Sequence, residues 1–257
     1  MGLPFDISFV FSFIPKLAST LLLTLGIVAG SLLSGLLFGL IAALPRLYRV
    51  PVLEQFSIAY ASFFRGTPIL IQLFLIYYGL PELLKAAHID VTRAPVLVFV
   101  ILTYGLHTGA FVSETIRGAV MAVDRGQVEA AYSLGMTGPQ AFLRVAAPQA
   151  LAIAVPVLAN QTLALLKETS LAFTLGVMEM SGKAQALARI TQHFLEAYLA
   201  LALIYLAVAF ILEKLLLALE CRLLRHELPE AAAGRFRLRR GLTLRKLASE
   251  LRGGAPT

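Results

Sequence analysis

Charge and cysteine are what this chain has least of. Only 14% of its 257 residues are charged, against about 25% in an ordinary soluble domain, while 58% are hydrophobic and the mean hydropathy is +0.81. So large a deficit in a chain of ordinary length points to a membrane as solvent, not to an oversized core. The single cysteine, Cys221, excludes an intramolecular disulfide and suggests no zinc site. It reads as a small apolar residue near a helix end. No Gly-x-x-x-x-Gly-Lys-Ser/Thr phosphate loop occurs, so the chain cannot cradle ATP by that mechanism. Nor is there a His/Cys/Asp cluster at metal spacing, or a nucleophile elbow. An enzyme has no visible residues to work with.

The net charge of +7 would suit nucleic acid, but ten of the 22 Lys and Arg residues lie from Lys214 onward, after the last apolar run. A basic tail on a hydrophobic body fits the cytoplasmic face of a membrane, and no nucleic-acid partner is expected.

The first long apolar run, Leu17 to Leu44, has 28 residues without a charge, too long for a secretory signal and long enough to span. Gly26 and Gly30, then Gly35 and Gly39, are spaced four apart, which suits a face where two helices approach closely in lipid. Pro45 to Pro51 then breaks the helix. Glu54 to Phe64 is amphipathic and suits the membrane surface. A second span is assembled across Arg65-Gly66-Thr67-Pro68, and such an interruption in lipid needs protein or water to satisfy the backbone. A segment that tolerates it lines something, and Thr67 is a candidate pathway residue. Pro81 to Arg93 reads as a polar loop, and Leu171 to Gly182 as a re-entrant or interfacial piece.

The fold expected is all-α, polytopic, with about five transmembrane helices. An N-terminal outer segment covers 1–16, a transmembrane domain 17–224, and a basic cytoplasmic tail 225–257. The spans are placed at about 17–44, 58–80, 94–113, 145–166 and 194–216. The first connection holds Arg46 and Arg49, the third Arg117, Arg125 and Arg144, and the tail ten Lys and Arg. The second and fourth set Glu82 and Asp90, and Glu168 and Glu179, against their own. This distribution places the N-terminus outside and the C-terminus inside.

The most informative stretch is Glu114 to Arg144, too long for a turn and too rich in alanine for a floppy loop. Gln127 to Leu134 predicts a short helix that Gly135 ends in the left-handed cap conformation. Pro139 can open a second. The result is a cytoplasmic helix-turn-helix over 117–148. It contains Glu129-Ala130-Ala131, three residues, Gly135, nine residues, then Val145-Ala146-Ala147-Pro148.

This arrangement resembles the EAA loop of permease subunits from binding-protein-dependent ATP-binding-cassette importers. That pattern is Glu-Ala-Ala, three residues, Gly, nine residues, Ile-x-Leu-Pro; here Val145 and Ala147 replace the Ile and Leu. The resemblance implies that Glu129, Ala130, Ala131, Gly135 and Pro148 belong to the part that couples to a cytoplasmic ATPase. Phe63 to Pro68, Ala159-Asn160-Gln161 and Leu165 to Leu171 are similar to the polar amino-acid uptake branch. Phe64 to Leu83, Ser113 to Gly118 and Leu171 to Met178 are similar to cystine permeases in particular. The resemblance further implies a multi-pass protein of a prokaryotic inner membrane, working with an ATP-binding subunit dimer and an extracytoplasmic amino-acid-binding protein. A second permease copy or paralogue completes the assembly. ATP and magnesium would be used by the ATPase, with no cofactor held by this chain.

Polar residues inside the spans are the substrate candidates. Asn160 and Gln161 can serve a zwitterion's carboxylate and ammonium, or bond one helix to another. Neutral Gln161 leans away from lysine or arginine as substrate. His107, with Thr103 one turn earlier, lines the pathway or is a packed neutral histidine. Glu114 and Arg117, three apart, predict a local ion pair. Lys167 to Ser170 marks the outer end of the fourth helix. An ion-coupled transporter or channel would need buried carboxylates in its spans, and the central stretches of spans one, three and four carry none.

Overall fold

The computed structural model describes residues 5–223. The elements among them are all helices: α1 Ile7–Ala18, α2 Leu21–Leu47, α3 Leu53–Gly66, α4 Ile69–Ala86, α5 Val96–Met121, α6 Arg125–Ser133, α7 Gly138–Leu175, α8 Met180–Thr191 and α9 Phe194–Leu223. Five of them (α2, α4, α5, α7 and α9) are long and apolar enough to cross a membrane. The expected tail, 225–257, lies outside the described residues.

The ends of these helices differ from hydropathy's placement, each for a local physical reason. The first apolar run is divided. Ser19 and Thr20 turn their hydroxyls back to the carbonyls of Lys16 and Leu17 at 2.7 and 2.9 Å, so α1 closes and α2 starts at Leu21. The 1–16 segment is therefore largely a helix. Its Phe13 and Leu17 are fully buried against Met180, Ala184, Ala197 and Ala200 of α8 and α9. Pro45 does not end α2, because it falls in the last turn. The Tyr48 N–H still reaches the Leu44 carbonyl at 3.0 Å, and the helix closes at Leu47.

The second span is not 58–80. Thr67 precedes a proline, which disfavours the helical region; it is extended at φ −113°, ψ 145°, so α3 stops at Gly66 and the span is α4. Pro81 was expected to open a polar loop, yet α4 passes it and ends at Ala86. A π-turn over Leu75–Gly79 finishes two residues before Pro81. The same device recurs in α7, where a π-turn over Phe142–Ala146 finishes two residues before Pro148. A proline inside a helix clashes with the carbonyl four residues back, and a widened turn relieves that clash. Hence α7 begins at Gly138, not at 145.

Beyond Glu168, α7 tightens into a 3₁₀ turn over Thr169–Leu175, and Gly176 ends it at φ 83°. The apolar piece 171–182 is thus no separate re-entrant segment. Its first part finishes α7 and Met180–Gly182 opens α8. The third span reaches Met121 instead of 113, and the last passes 216 and is still helical at Leu223, the last described residue.

The tightest packing joins α2 to α5. A Cβ built on Gly35 would sit 2.8 Å from Thr108 Cβ. One on Gly39 would overlap Val112, and one on Gly105 would overlap Ser34. A Cβ on Gly109 would lie 2.7 Å from the Tyr60 hydroxyl. Gly30 faces Ile101 more loosely, at 3.3 Å, and Gly26 meets nothing within 4 Å. The small-residue face is therefore Gly30, Gly35 and Gly39, answered by Gly105 and Gly109. Without a strong hydrophobic drive between helices in lipid, such van der Waals contact is what joins them.

Gly39→Val and Gly105→Leu should each destabilise the purified protein by about 1–3 kcal/mol or more through overpacking. Gly26→Ala should change stability by less than about 1 kcal/mol. Thermal unfolding in detergent checks the contrast; equal effects at Gly26 and Gly39 would contradict the seam.

Candidate functional site

One cavity of about 110 Å³ lies between α5 and α7, lined by His107, Thr108, Phe111, Gln161, Leu165 and Glu168. His107 and Gln161 thus come together, and Glu168, at the end of α7's α-helical part, joins them. Gln161 is held by its Nε2, which donates to Thr115 Oγ1 at 3.0 Å, while its Oε1 is buried without a partner. His107 Nδ1 lies 2.9 Å from Gln72 Oε1. His107 Nε2 lies 3.9 Å from Glu168 Oε2, beyond hydrogen-bond reach.

Gln72 ties this cavity to the interruption between α3 and α4. Its Nε2 donates to the Phe64 carbonyl at 2.8 Å and to the carbonyl and hydroxyl of Thr67 at 2.9 Å each. Thr67 therefore serves the site at one remove, by holding Gln72. The freed backbone at the break is satisfied by protein, as lipid requires.

Two candidates do not join. Thr103 is fully buried and gives its hydroxyl to the Phe99 carbonyl at 2.7 Å, the usual back-bond of a helical threonine. Asn160 is exposed and lies outside the cavity. Its neighbour Gln161 takes the inward position because the two differ by about 100° around the helix. Gln72 was missed in the sequence; it is a lone polar residue in the apolar run Ile69 to Leu80, and that isolation is the signal to look for.

At the other end of the bundle, Glu114 gathers three guanidiniums. Its Oε1 lies 2.5 Å from Arg46 and 3.4 Å from Arg65, and its Oε2 lies 3.0 Å from Arg117. The expected pair with Arg117 is part of a network that also reaches α2 and α3.

Next to this network stands α6. Asp124 caps it, accepting from the Gly126 N–H at 2.8 Å. Gly135 closes it at φ 78°, and the Met136 N–H returns to the Ala131 carbonyl at 3.1 Å, the six-to-one bond of a Schellman end. Ala131 is buried, whereas Glu129, Ala130 and Gly135 are exposed and Leu134 is 79% exposed. The helix is thus footed through Ala131 and shows its acidic and apolar tip outward. A larger cavity of about 660 Å³, lined in part by Arg46, Arg49, Arg117, Arg125, Glu129 and Tyr132, separates α6 from the span ends. Pro148 lies just past the π-turn on which α6 rests. Among the described residues no group of His, Cys, Asp and Glu can hold a metal ion.

Residues 35–225 match the family described as binding-protein-dependent transport system inner membrane component. The chain is 44% identical over 213 residues to an L-cystine transport system permease protein, TcyL, of Bacillus subtilis, covering 83% of this chain and 89% of that one. It is 43% identical over 220 residues to a probable amino-acid ABC transporter permease protein, PatM, of Vibrio harveyi, covering 85% and 96%. It is 32% identical over 221 residues to the glutamine transport system permease protein GlnP of Escherichia coli, covering 86% and 99%. Among solved structures, an amino acid ABC transporter determined with histidines superimposes with a TM-score of 0.76 at 31% identity, covering 86% of this chain and all of that one. With 191 consecutive residues matched, an all-helical bundle and five apolar spans, this chain belongs to the inner-membrane permease family of binding-protein-dependent ABC transporters, among its amino-acid members.

Proposed function

We propose that this chain forms the pathway of an importer for L-cystine, moved by ATP hydrolysis in a separate subunit. As a permease of an amino-acid ABC importer it is a transport subunit. The finer reading rests above all on the 44% identity to an L-cystine permease along 83% of the chain. A second L-cystine permease of Bacillus subtilis, TcyB, is 37% identical over 72% of the chain. The 32% identity to a glutamine permease makes glutamine the next substrate to test.

In this reading α6 docks on a cytoplasmic ATP-binding dimer, with the N-terminus outside and the C-terminus inside. Glu129, Ala130 and Gly135 meet the ATPase and Ala131 anchors the helix. Pro148 fixes the turn behind it. ATP and magnesium belong to that partner, whereas an extracytoplasmic binding protein delivers substrate to the Glu168 end. A second copy or a paralogue completes the pathway. Gln161, His107 and, through Gln72, Thr67 belong to the substrate path; Asn160 and Thr103 do not. Transport then requires that the path hold substrate with different affinity in its two states.

Two measurements bear on this. Glu129→Arg combined with Gly135→Val should lower uptake at least about tenfold while membrane insertion persists; the valine also strains a left-handed position by about 1–2 kcal/mol. Undiminished uptake by the double variant would end the coupling assignment. Titration of the cognate binding protein with labelled amino acids should show L-cystine held at least about tenfold, or about 1.4 kcal/mol, more tightly than glutamine or histidine. Preference for lysine or arginine would refute the reading of neutral Gln161.

A further inference from the structure

The cavity of about 660 Å³ between α6 and the span ends has no part in the substrate path. It lies at the cytoplasmic ends of α2 and α5, where α3 begins. Four arginines (Arg46, Arg49, Arg117 and Arg125) and two glutamates (Glu54 and Glu129) line it, an excess of two positive charges. Arg46 and Arg117 spend part of their N–H groups on Glu114, which does not line the cavity. Among the described residues Arg49 and Arg125 form no ion pair. A guanidinium carries five N–H donors in a planar fork that matches phosphate. The cavity therefore offers donors and positive charge to an anion.

The rest of the wall decides which anion. Ile58, Val120, Met121 and Phe142 line the same space and are apolar. The turn from α2 to α3 continues that character outward, where Tyr48, Val52, Leu53 and Phe56 are each more than half exposed. Arg49 and Val52 hold positive φ there, 50° and 68°, uncommon for an arginine and a genuine outlier for a β-branched residue. In this turn Arg49 lines the cavity while Tyr48 and Val52 stand outside it. A tyrosine among apolar side chains suits the membrane–water interface. A soluble anion would leave the apolar wall wet. A phospholipid sets its phosphate on the guanidiniums and its acyl chains against that wall. The C-terminal tail is basic in sequence, of the same sign as the cavity, and does not fit it.

We propose that this cavity is a headgroup site for an anionic phospholipid of the cytoplasmic leaflet. Arg49 and Arg125 hold the phosphate, and Arg46 and Arg117 add their remaining N–H groups. The volume lies within the roughly 300–1,000 Å³ of pockets that take a small molecule. Basic pockets at the cytoplasmic side of membrane helices suit such head groups. Arg125 opens α6 and Arg49 follows the end of α2, so one phosphate bridges α6 to a span. The lipid thereby steadies α6 without entering the substrate path, and the site stands independently of which amino acid is carried.

The test titrates the permease–ATPase complex in detergent with dioctanoyl phosphatidylglycerol, dioctanoyl phosphatidylcholine or inorganic phosphate, all at equal ionic strength. Native mass spectrometry counts the lipid retained. Phosphatidylglycerol should bind saturably and at least about tenfold more tightly than phosphatidylcholine, and inorganic phosphate should not displace it. Arg49→Gln combined with Arg125→Gln should weaken phosphatidylglycerol binding at least about tenfold, through the loss of two cations at the head group. Arg49→Gln alone, with a smaller loss, serves should the double variant fail to fold. Arg222, exposed in the last turn of α9 and outside the cavity, is the control, and Arg222→Gln should change nothing. Equal binding of the two lipids, or full binding by the folded variants, would overturn the site. An equal loss from Arg222→Gln would reduce it to diffuse surface charge. Displacement by inorganic phosphate would reassign it to soluble phosphates and end the lipid assignment. Absence of phosphatidylglycerol binding to the complex, the outcome if the ATPase itself fills the cavity, would overturn it as well.

Discussion

The close approach of α2 and α5 is the contact on which the rest depends. Gly35, Gly39, Gly105 and Gly109 leave no room for a Cβ, so the two backbones meet directly midway along both helices. That approach lets α3 fold down beside them. Ser57 donates to the Ala42 carbonyl and Tyr60 to the Leu106 carbonyl at 2.6 Å, one bond to each partner of the seam. It also brings Arg46 of α2 to Glu114 of α5. The side chains of that pair are 11% and 20% exposed. A single ion pair so placed recovers little beyond its desolvation, but three guanidiniums around one carboxylate leave no oxygen unanswered. Widening the seam by one methyl group would therefore disturb packing, two side-chain hydroxyl bonds and the charge network together.

A second constraint is the cost of unpaired backbone in lipid, and it governs where helices end. At Thr67-Pro68 the chain does break, and Gln72 covers the break with its amide. At Pro81 and Pro148 it does not, because a π-turn precedes each proline by the same interval. The two outcomes differ in what precedes the proline. Gly66-Thr67 offers an extended residue and a following side-chain donor, whereas the residues before Pro81 and Pro148 stay helical and absorb the clash by widening.

This explains how much could be read in advance. Five spans follow from hydropathy because the bilayer sets their length. The glycine seam was legible as a spacing, although Gly26 shares the spacing and touches nothing. Gly135 was legible because a helix end needs a residue that accepts positive φ, and so was the pairing of Glu114 with Arg117 at i, i+3. Helix ends at prolines were not, since proline is read as a breaker and π-turns carry no sequence mark. Nor was the tertiary pairing of Gln72 with His107, 35 positions apart. Asn160 and Gln161 look equivalent in sequence; only their rotation about α7 separates the exposed amide from the half-buried one that lines the cavity.

The position of α7 gives the two ends of the molecule a mechanical connection. It is continuous from Gly138, beside the foot of α6, to Glu168, at the small cavity. At 1.5 Å per residue those 31 residues extend about 45 Å, longer than the hydrocarbon core of about 30 Å. An α-helix transmits tilt along its length better than a loop would, and before Glu168 the ladder of α7 is interrupted at the π-turn next to Pro148 and again at Pro156, which has no N–H to donate. That turn lies between α6 and the membrane-embedded part, where a wider, weaker hydrogen-bond ladder bends most easily. On the proposed coupling role, a push on α6 reaches α7 at that turn and passes along a helix that also contains Pro156 before it arrives at Gln161 and Glu168. The cavity's other wall is α5, whose inner turns are held by Glu114 to α2 and α3. Both walls are packed, α7 against α5, α9 and α2, and α5 is tied in addition through Glu114 to α2 and α3. On the proposed transport cycle, a relative tilt of the two walls alters the 3.9 Å separation of His107 Nε2 and Glu168 Oε2, and with it the affinity of the path in its two states.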